Sequence, residues 1–166
     1  MSQTTIHDPL SPAGRLQQRR ITAEHEAAHA VLYIDLGCGL YEAVLEDDFE
    51  GSTRSSPKPR SMPGWDYAAI SAAGVVIEDR YVFQPLEQRW AAENDDAYDD
   101  GYDDEDGGDL YGIPWGLALT GYQQACITLD RLADMHRAIA DALYEHSRVT
   151  ADDVRALGYE VTDWRP

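Results

Sequence analysis

The chain of 166 residues is long enough for one folded domain, and its hydrophobic fraction of 43% is typical of a globular protein. Its 13 Lys and Arg stand against 31 Asp and Glu, and the net charge of −18 disfavours nucleic acid as a partner. No apolar run reaches the roughly 18 residues of a membrane span, and the two cysteines lie too far apart in sequence for a CxxC zinc site.

The two ends of the chain are predicted to be irregular. Residues 1–20 mix Pro, Ser, Gln and Arg without periodicity and indicate a flexible arm, and residues 161–166 are expected to be a short tail. Between them we expect a single domain over residues 21–160. The arm contains no apolar stretch that could act as a secretory signal, so we expect a soluble protein of the cytoplasm.

The stretch TAEHEAAHAVLYIDLG predicts a helix over residues 23–36. Thr22 can cap its first turn, and Ile21 stands where a hydrophobic staple would. Gly37 supplies a stop. Both ends of this helix are therefore marked in the sequence.

The remaining patterns predict a mainly α fold with a small β element. LYEAVLEDD and GSTRSS look like short strands that could form a hairpin. Residues 65–83 predict a second helix, because small apolar residues recur there at spacings of three and four: Ala69, Ala72, Ala73, Val76 and Ile77. The C-terminal third is helical again, with a break expected near Thr120 and Gly121. A last short helix is expected between Thr150 as N-cap and Gly158 as stop.

An acidic run separates these helical parts. Residues 92–109 hold ten acids and no base, with Gly and Tyr interspersed, so we expect a loop. The run could mimic a nucleic-acid backbone toward a DNA-binding protein. A calcium loop of the EF-hand type is disfavoured, because Tyr98 and Tyr102 stand at ligand positions. A solvated insertion is the simpler interpretation.

His25, Glu26 and His29 form the pattern HExxH. Positions i and i+4 lie on one face of a helix, so both imidazoles can bind one zinc ion at about 2.0–2.1 Å. Glu26 is rotated by about 100° from His25, which places its carboxylate beside the metal as general base for a zinc-bound water. The histidines share their face with Leu32 and Leu36, and two inward histidines without a partner would be costly. The motif therefore predicts a Zn²⁺ site.

HEAAHAV resembles the HEAGHAV helix of the FtsH-type ATP-dependent zinc proteases. SAAGVVIEDRY is similar to the AGxxAEE segment of their peptidase domain, and YQQACITLDRLADMHRAIADALYEHSRVTADDV is similar to that domain's last long helix and closing stretch. The resemblance covers roughly residues 20–157 and implies a mostly helical zinc-peptidase fold in which two His and an Asp hold zinc. Ala28 stands where the family has glycine, and no GxxxxGK(S/T) is present, so the likeness is to a peptidase domain without the ATPase module.

The resemblance implies that the third ligand is an aspartate after the AGxxAEE segment, and the acidic run offers several. Asp109 is favoured, because it directly precedes an apolar helical stretch and follows two glycines. Asp95 better matches the family's distance from Glu78, and Asp103 and Asp104 come behind it. Glu78 matches the family glutamate and could orient a ligating histidine by a hydrogen bond, or serve as the third ligand itself.

Three functional hypotheses follow. The first is a zinc metalloendopeptidase that acts on peptides or unfolded proteins, with a separate ATPase or a homo-oligomer as further partners and with neither membrane nor nucleic acid. The second is a binding or regulatory domain that has the same fold and holds zinc but does not catalyse hydrolysis. The third is an acidic DNA mimic that acts through residues 92–109.

Overall fold

The computed structural model describes residues 11–56, 62–94 and 109–163. In these ranges the elements follow one another as α1 (Pro12–Asp35), β1 (Leu40–Leu45), β2 (Gly51–Ser55), α2 (Gly64–Glu78), α3 (Leu86–Asn94), α4 (Trp115–Arg131), α5 (Ala133–His146), β3 (Arg148–Thr150) and α6 (Ala151–Ala156). The predicted mainly α fold with a small β element is confirmed. None of the helices described is both long and apolar enough to span a membrane.

Helix α1 begins well before the predicted start. Ser11 caps it by accepting a hydrogen bond from the Gly14 N–H at 3.0 Å, and Pro12 occupies the first turn, where its missing N–H costs nothing. Residues 12–20 are therefore helical and not part of a flexible arm. Arg19 attaches this extension to α5 by donating to a backbone carbonyl there at 3.1 Å. That tertiary contact supplies stability that the local composition does not indicate.

Thr22, the expected cap, lies inside α1. Its hydroxyl is 3.1 Å from the Gln18 carbonyl oxygen one turn back and 3.0 Å from the Asp48 carbonyl oxygen in the β1–β2 turn. The prediction of Gly37 as the stop is confirmed, because its φ of +73° is a left-handed conformation that favours glycine.

A three-stranded antiparallel sheet of order β2-β1-β3 packs beside α1. The predicted hairpin is confirmed, with Leu45 opposite Gly51 and a bulge between Leu40 and Glu42. The third strand pairs Val149 with Ala43 and was missed, because three residues that end in the helix cap Thr150 give no strand pattern. Within the part of the chain that the structure describes, β2 is an edge strand, and it packs against α1.

The C-terminal cap is confirmed. Thr150 accepts from the Asp153 N–H at 3.3 Å, and the Asp153 carboxylate accepts in return from the Thr150 N–H at 2.8 Å, which is a complete capping box. Gly158, with a φ of +94°, follows the end of α6.

Helix α1 lies at the centre of the core, between α2, α5 and the sheet. Its buried face is rich in alanine, which lets neighbouring helices approach closely. The large side chains that fill the remaining space are fully buried: Leu32, Leu40, Ile77, Leu129, Ile139, Leu143 and Val149.

The expected break near Thr120 and Gly121 is wrong, since α4 runs without interruption from Trp115 to Arg131 and the chain turns at Leu132. Gly121 instead lies where α4 meets α2. A Cβ at this position would stand 2.7 Å from the Ala68 Cβ and closer still to the Ala68 backbone. The glycine marks a close helix–helix contact and not a helix end.

Two other boundaries differ from the expectation. The second helix ends at Glu78, before the predicted residue 83. Residues 86–94 form the unpredicted α3, so the first residues of the acidic run are helical. Residues 95–108 of the run lie outside the described residues.

Gly121→Ala should lower the free energy of unfolding by about 1–3 kcal/mol, because the added methyl group would push α2 and α4 apart. Gly116→Ala is the matched control on the same helix. Nothing lies within 4 Å of a Cβ at Gly116, so stability should stay constant or rise by up to about 1 kcal/mol. Urea denaturation curves measure both variants, and equal stabilities would contradict the close contact.

His136 ties α5 to α1. It is 6% exposed, and its Nε2 donates to the Glu24 carbonyl oxygen at 2.8 Å. Burial lowers the pKa of His136 below its usual value, although the contacts with Glu24 partly offset that effect. The histidine is thus held neutral in the folded protein.

Stability should fall as the pH drops below about 6.5, the normal histidine pKa, because the unfolded chain then binds a proton that folded His136 does not. The stabilisation that comes from this pKa difference is complete above that pH and is lost as the pH falls towards the lowered pKa of folded His136. The free energy of unfolding then changes by at most about 1.4 kcal/mol per pH unit. Denaturation of wild type and His136→Gln at several pH values measures it, and the variant should have the flatter profile. His146→Gln, at an exposed position of the same helix, should keep the wild-type profile.

Candidate metal centre

Three side-chain donors from two separate segments face one point. His25 Nε2 lies 3.1 Å from His29 Nε2 and 3.3 Å from Asp109 Oδ2, and His29 Nε2 lies 3.5 Å from Asp109 Oδ1. Zinc with tetrahedral bonds of about 2.0–2.1 Å places its ligand atoms about 3.3 Å apart. The two contacts with Asp109 involve different carboxylate oxygens, and with one ligand atom taken from each residue the three atoms lie within 4.8 Å of one another, close enough to hold a metal ion.

The other nitrogen of each histidine is already engaged. His29 Nδ1 lies 2.8 Å from the Ile70 carbonyl oxygen, which can only accept, so this nitrogen donates. His25 Nδ1 lies 3.0 Å from Glu78 Oε1 and donates to that carboxylate. Neutral rings with these donors leave the Nε2 lone pairs of both histidines facing each other and the Asp109 carboxylate. Such an arrangement attracts a cation, either a proton or a metal ion.

The pKa values of His29 and Asp109 also indicate that the site favours a cation. Burial opposes a charge on His29, but the Asp109 carboxylate beside it outweighs burial and raises the pKa of His29 to about 9. Burial likewise opposes the charge of Asp109, yet His29 and His25 hold the pKa of that carboxyl below its usual value. The pocket therefore favours positive charge between these side chains.

Gly74 on α2 gives the centre its space. A Cβ at this position would stand 2.5 Å from Asp109 Oδ2 and closer still to the His25 ring. Any side chain at residue 74 would therefore occupy the place where ligands from α1 and from Asp109 meet. A glycine within a helix of Ala and Val is the sequence signal for such a close approach.

Glu78 occupies the position expected of a residue that orients a ligand. Its carboxylate contacts Nδ1 of His25, the ring nitrogen that faces away from the donor cluster. Burial opposes its charge, but His25 and Arg89 lower the pKa of Glu78 below its usual value. Asp95, Asp103 and Asp104, the other third-ligand candidates, lie outside the described residues.

Glu26 is buried next to the donor cluster, with 6% of its surface exposed. The Thr53 hydroxyl on β2 lies 2.8 Å from Glu26 Oε2 and donates to it. Gly51 on the same strand lets β2 pass close by, since a Cβ there would stand 2.6 Å from Glu26 Cγ. Sequence reasoning missed Gly51 and Thr53, because only strand pairing brings them to α1.

An open cleft of about 380 Å³ connects these groups. It is lined by the three donors and Glu26 on one side, by Gly51, Ser52 and Thr53 of β2, and by Tyr33 and Tyr67. Among the described residues, His25, His29 and Asp109 form the group of His, Cys, Asp or Glu that could hold a metal ion.

Neither a family model nor a curated protein matches the chain. The resemblance to the FtsH-type peptidases therefore stays a prediction from the motifs quoted above. HEAAHAV carries both histidines and Glu26, and SAAGVVIEDRY carries Gly74 and Glu78.

Gly74→Ala should weaken zinc binding by 10-fold or more, because its methyl group would displace His25 or Asp109. The helix itself should tolerate the change, since alanine has the higher helix propensity. Gly64→Ala on the same helix is the matched control, because its Cβ would make an ordinary 3.5 Å contact with Leu117. Competition with a chromophoric chelator measures both affinities, and an unchanged affinity in Gly74→Ala would contradict this geometry.

Proposed function

We propose that the protein is a zinc-dependent metallopeptidase-like hydrolase in which His25, His29 and Asp109 hold Zn²⁺ and Glu26 is the general base. The observation that carries the proposal is the cluster of His25, His29 and Asp109, whose closest nitrogen and oxygen contacts are 3.1 to 3.5 Å, in one cleft with the buried carboxylate of Glu26. The FtsH-like peptidase fold belongs to the same proposal and is supported by the helical architecture and by the quoted motifs.

The donor set favours zinc. Two imidazole nitrogens and one carboxylate oxygen suit this ion, and three protein ligands leave a coordination position open, as catalytic zinc sites do. When bound, the metal supplies a Lewis acid and makes a water molecule acidic enough to lose a proton near neutral pH.

Glu26 is placed to handle protons in this cleft. It follows His25 directly on α1, so its carboxylate lies beside the ligands and not among them. The hydrogen bond from Thr53 holds one carboxylate oxygen and thereby restricts the side-chain rotamer. A base held in this way can take a proton from the attacking water and return it to the leaving amine.

The position of the edge strand β2 is a reason to propose a peptide as the substrate. Its residues Gly51, Ser52 and Thr53 line the cleft, and an edge strand presents unpaired backbone groups to which an extended peptide can add as a further strand. Only flexible segments can adopt that conformation, so we propose peptides or unfolded proteins as substrates. The chain carries no P-loop, so a folded substrate would have to be opened by a separate ATPase or by another partner.

Glu26→Gln should lower the rate of hydrolysis of an unstructured protein by 10²–10⁴-fold, because the amide cannot accept the proton. Its zinc content should stay at the wild-type level, since Glu26 is not among the three donors. His25→Ala should lose both zinc and activity, whereas His146→Ala, at an exposed position, should lose neither. Elemental analysis and a labelled, unstructured substrate provide the measurements.

The outcomes separate the hypotheses. Wild-type protein without stoichiometric zinc would overturn the metal centre. Stoichiometric zinc without any hydrolysis would favour the zinc-holding binding or regulatory domain. The DNA-mimic hypothesis depends on residues 92–109, of which 95–108 lie outside the described residues. It predicts that deletion of residues 96–106 abolishes binding of a basic protein partner while zinc is retained.

A further inference from the structure

We propose that α3 positions the metal centre by holding two of its three ligands through separate polar contacts. One set of contacts reaches His25 through Glu78, and the other reaches Asp109 through the turn at residues 110–113. This inference rests on the proposed zinc site and adds to it a positioning role for Arg89, Glu93 and Asn94. None of these residues belongs to the HExxH or AGxxAEE patterns.

The first set of contacts begins at Arg89. Its Nη1 donates to Glu78 Oε2 in a short contact, and its Nη2 lies 3.5 Å from Asp79 Oδ1. The other oxygen of Glu78 accepts from His25 Nδ1 at 3.0 Å. Glu78 is thus held between a guanidinium and an imidazole, which fixes its rotamer. A fixed Glu78 keeps the proton on Nδ1 of His25 and leaves Nε2 for the metal.

The second set of contacts holds the turn that follows Asp109. Four hydrogen bonds connect α3 to it: Leu110 N–H to Glu93 Oε2 at 2.7 Å, Asn94 Nδ2 to the Leu110 carbonyl at 3.1 Å, Gly112 N–H to Asn94 Oδ1 at 2.9 Å, and Trp90 Nε1 to the Ile113 carbonyl at 2.6 Å. Both backbone polar groups of Leu110 are therefore held by α3. Since Leu110 is the next residue after Asp109, these bonds fix the point from which the Asp109 carboxylate reaches both histidines.

The composition of α3 agrees with this role. No residue of the helix is fully buried, and Leu86 and Trp90 are its apolar residues that pack against the core. Its polar contacts converge on the two segments that carry or orient ligands. A helix of nine residues is marginal by itself in water, and these contacts stabilise it where the site needs it.

The test measures zinc affinity in Asn94→Ala and Arg89→Met by chelator competition, well below the unfolding midpoint of each variant. We expect each to bind zinc 10–100-fold more weakly, the range typical of residues that orient metal ligands. Arg89→Lys keeps the charge but loses the planar fork that contacts two carboxylates, and it should show a loss even if Arg89→Met does not fold. Glu93→Gln retains an oxygen acceptor and should bind zinc more tightly than Glu93→Ala.

Two matched controls remove comparable contacts far from the centre. Arg131→Met breaks an arginine pair with Asp35 at the surface, and Thr150→Ala removes the cap of α6. Both should keep wild-type zinc affinity. The absorption spectrum of the Co²⁺-substituted protein is a second readout, because its intensity depends on ligand geometry and should change only in the α3 variants.

Double variants separate the two sets of contacts. In an Asp109→Ala background, Asn94→Ala should weaken zinc binding no further, because Asn94 acts through Asp109, whereas Arg89→Met should still weaken it. In a Glu78→Ala background the pattern should reverse. Chelators of decreasing affinity keep these weaker sites measurable.

Zinc affinities within twofold of wild type in Asn94→Ala and Arg89→Lys, with only a lower unfolding midpoint, would overturn the positioning role while the metal centre stands. Losses that simply add in every background would also overturn it. Wild-type protein without zinc would overturn the proposed function itself, and the inference with it, so the two failures are distinguishable.

Discussion

Two imidazole nitrogens and the Asp109 carboxylate lie within 3.1 to 3.5 Å at their closest contacts, and several surrounding elements hold them there. His25 and His29 are engaged at Nδ1 by Glu78 and by the Ile70 carbonyl, so both must present Nε2 to Asp109. Three electron-rich atoms at such distances repel unless a cation lies among them. The neighbouring elements therefore have to supply rigidity as well as space.

Space comes from small residues at helix contacts. Alanines line the buried face of α1, and the absence of a side chain at Gly74 leaves room for the His25 ring and Asp109 to lie close together. Gly121 likewise allows a close contact between helices, at the point where α4 packs against α2. Close helix packing brings the ligands together, but small residues bury less apolar surface than larger side chains and so contribute less stability. Leucine, isoleucine and valine compensate elsewhere in the core.

The cleft combines a helix and a strand with different roles. Helix α1 carries two donors and Glu26 in a single turn, which makes their relative geometry rigid. The edge strand β2 contributes Thr53, which holds Glu26, and a row of backbone groups beside the same cleft. A peptide that pairs with this strand would lie along the donor cluster, which links the sheet to the proposed hydrolysis.

The sequence by itself determined what depends on local periodicity. HEAAH places His25 and His29 on one helical face with Glu26 beside them, and the ends at Gly37, Thr150 and Gly158 follow from backbone and capping preferences. Predictions from local patterns were wrong where the structure at a residue depends on a contact with a segment far away in sequence. The N-terminal helical extension is held by α5, and Gly121 is small because another helix passes it.

Only the tertiary structure decided how the remaining parts of the site meet. Many aspartates in one acidic run look alike in sequence, and among the described residues it is Asp109, beside the turn that α3 holds, that lies next to both histidines. Thr53 and Gly51 reach Glu26 through strand pairing, which no short-range pattern encodes. Helical spacing is set within one turn of the chain, whereas the third donor and its supports depend on contacts between segments far apart in sequence.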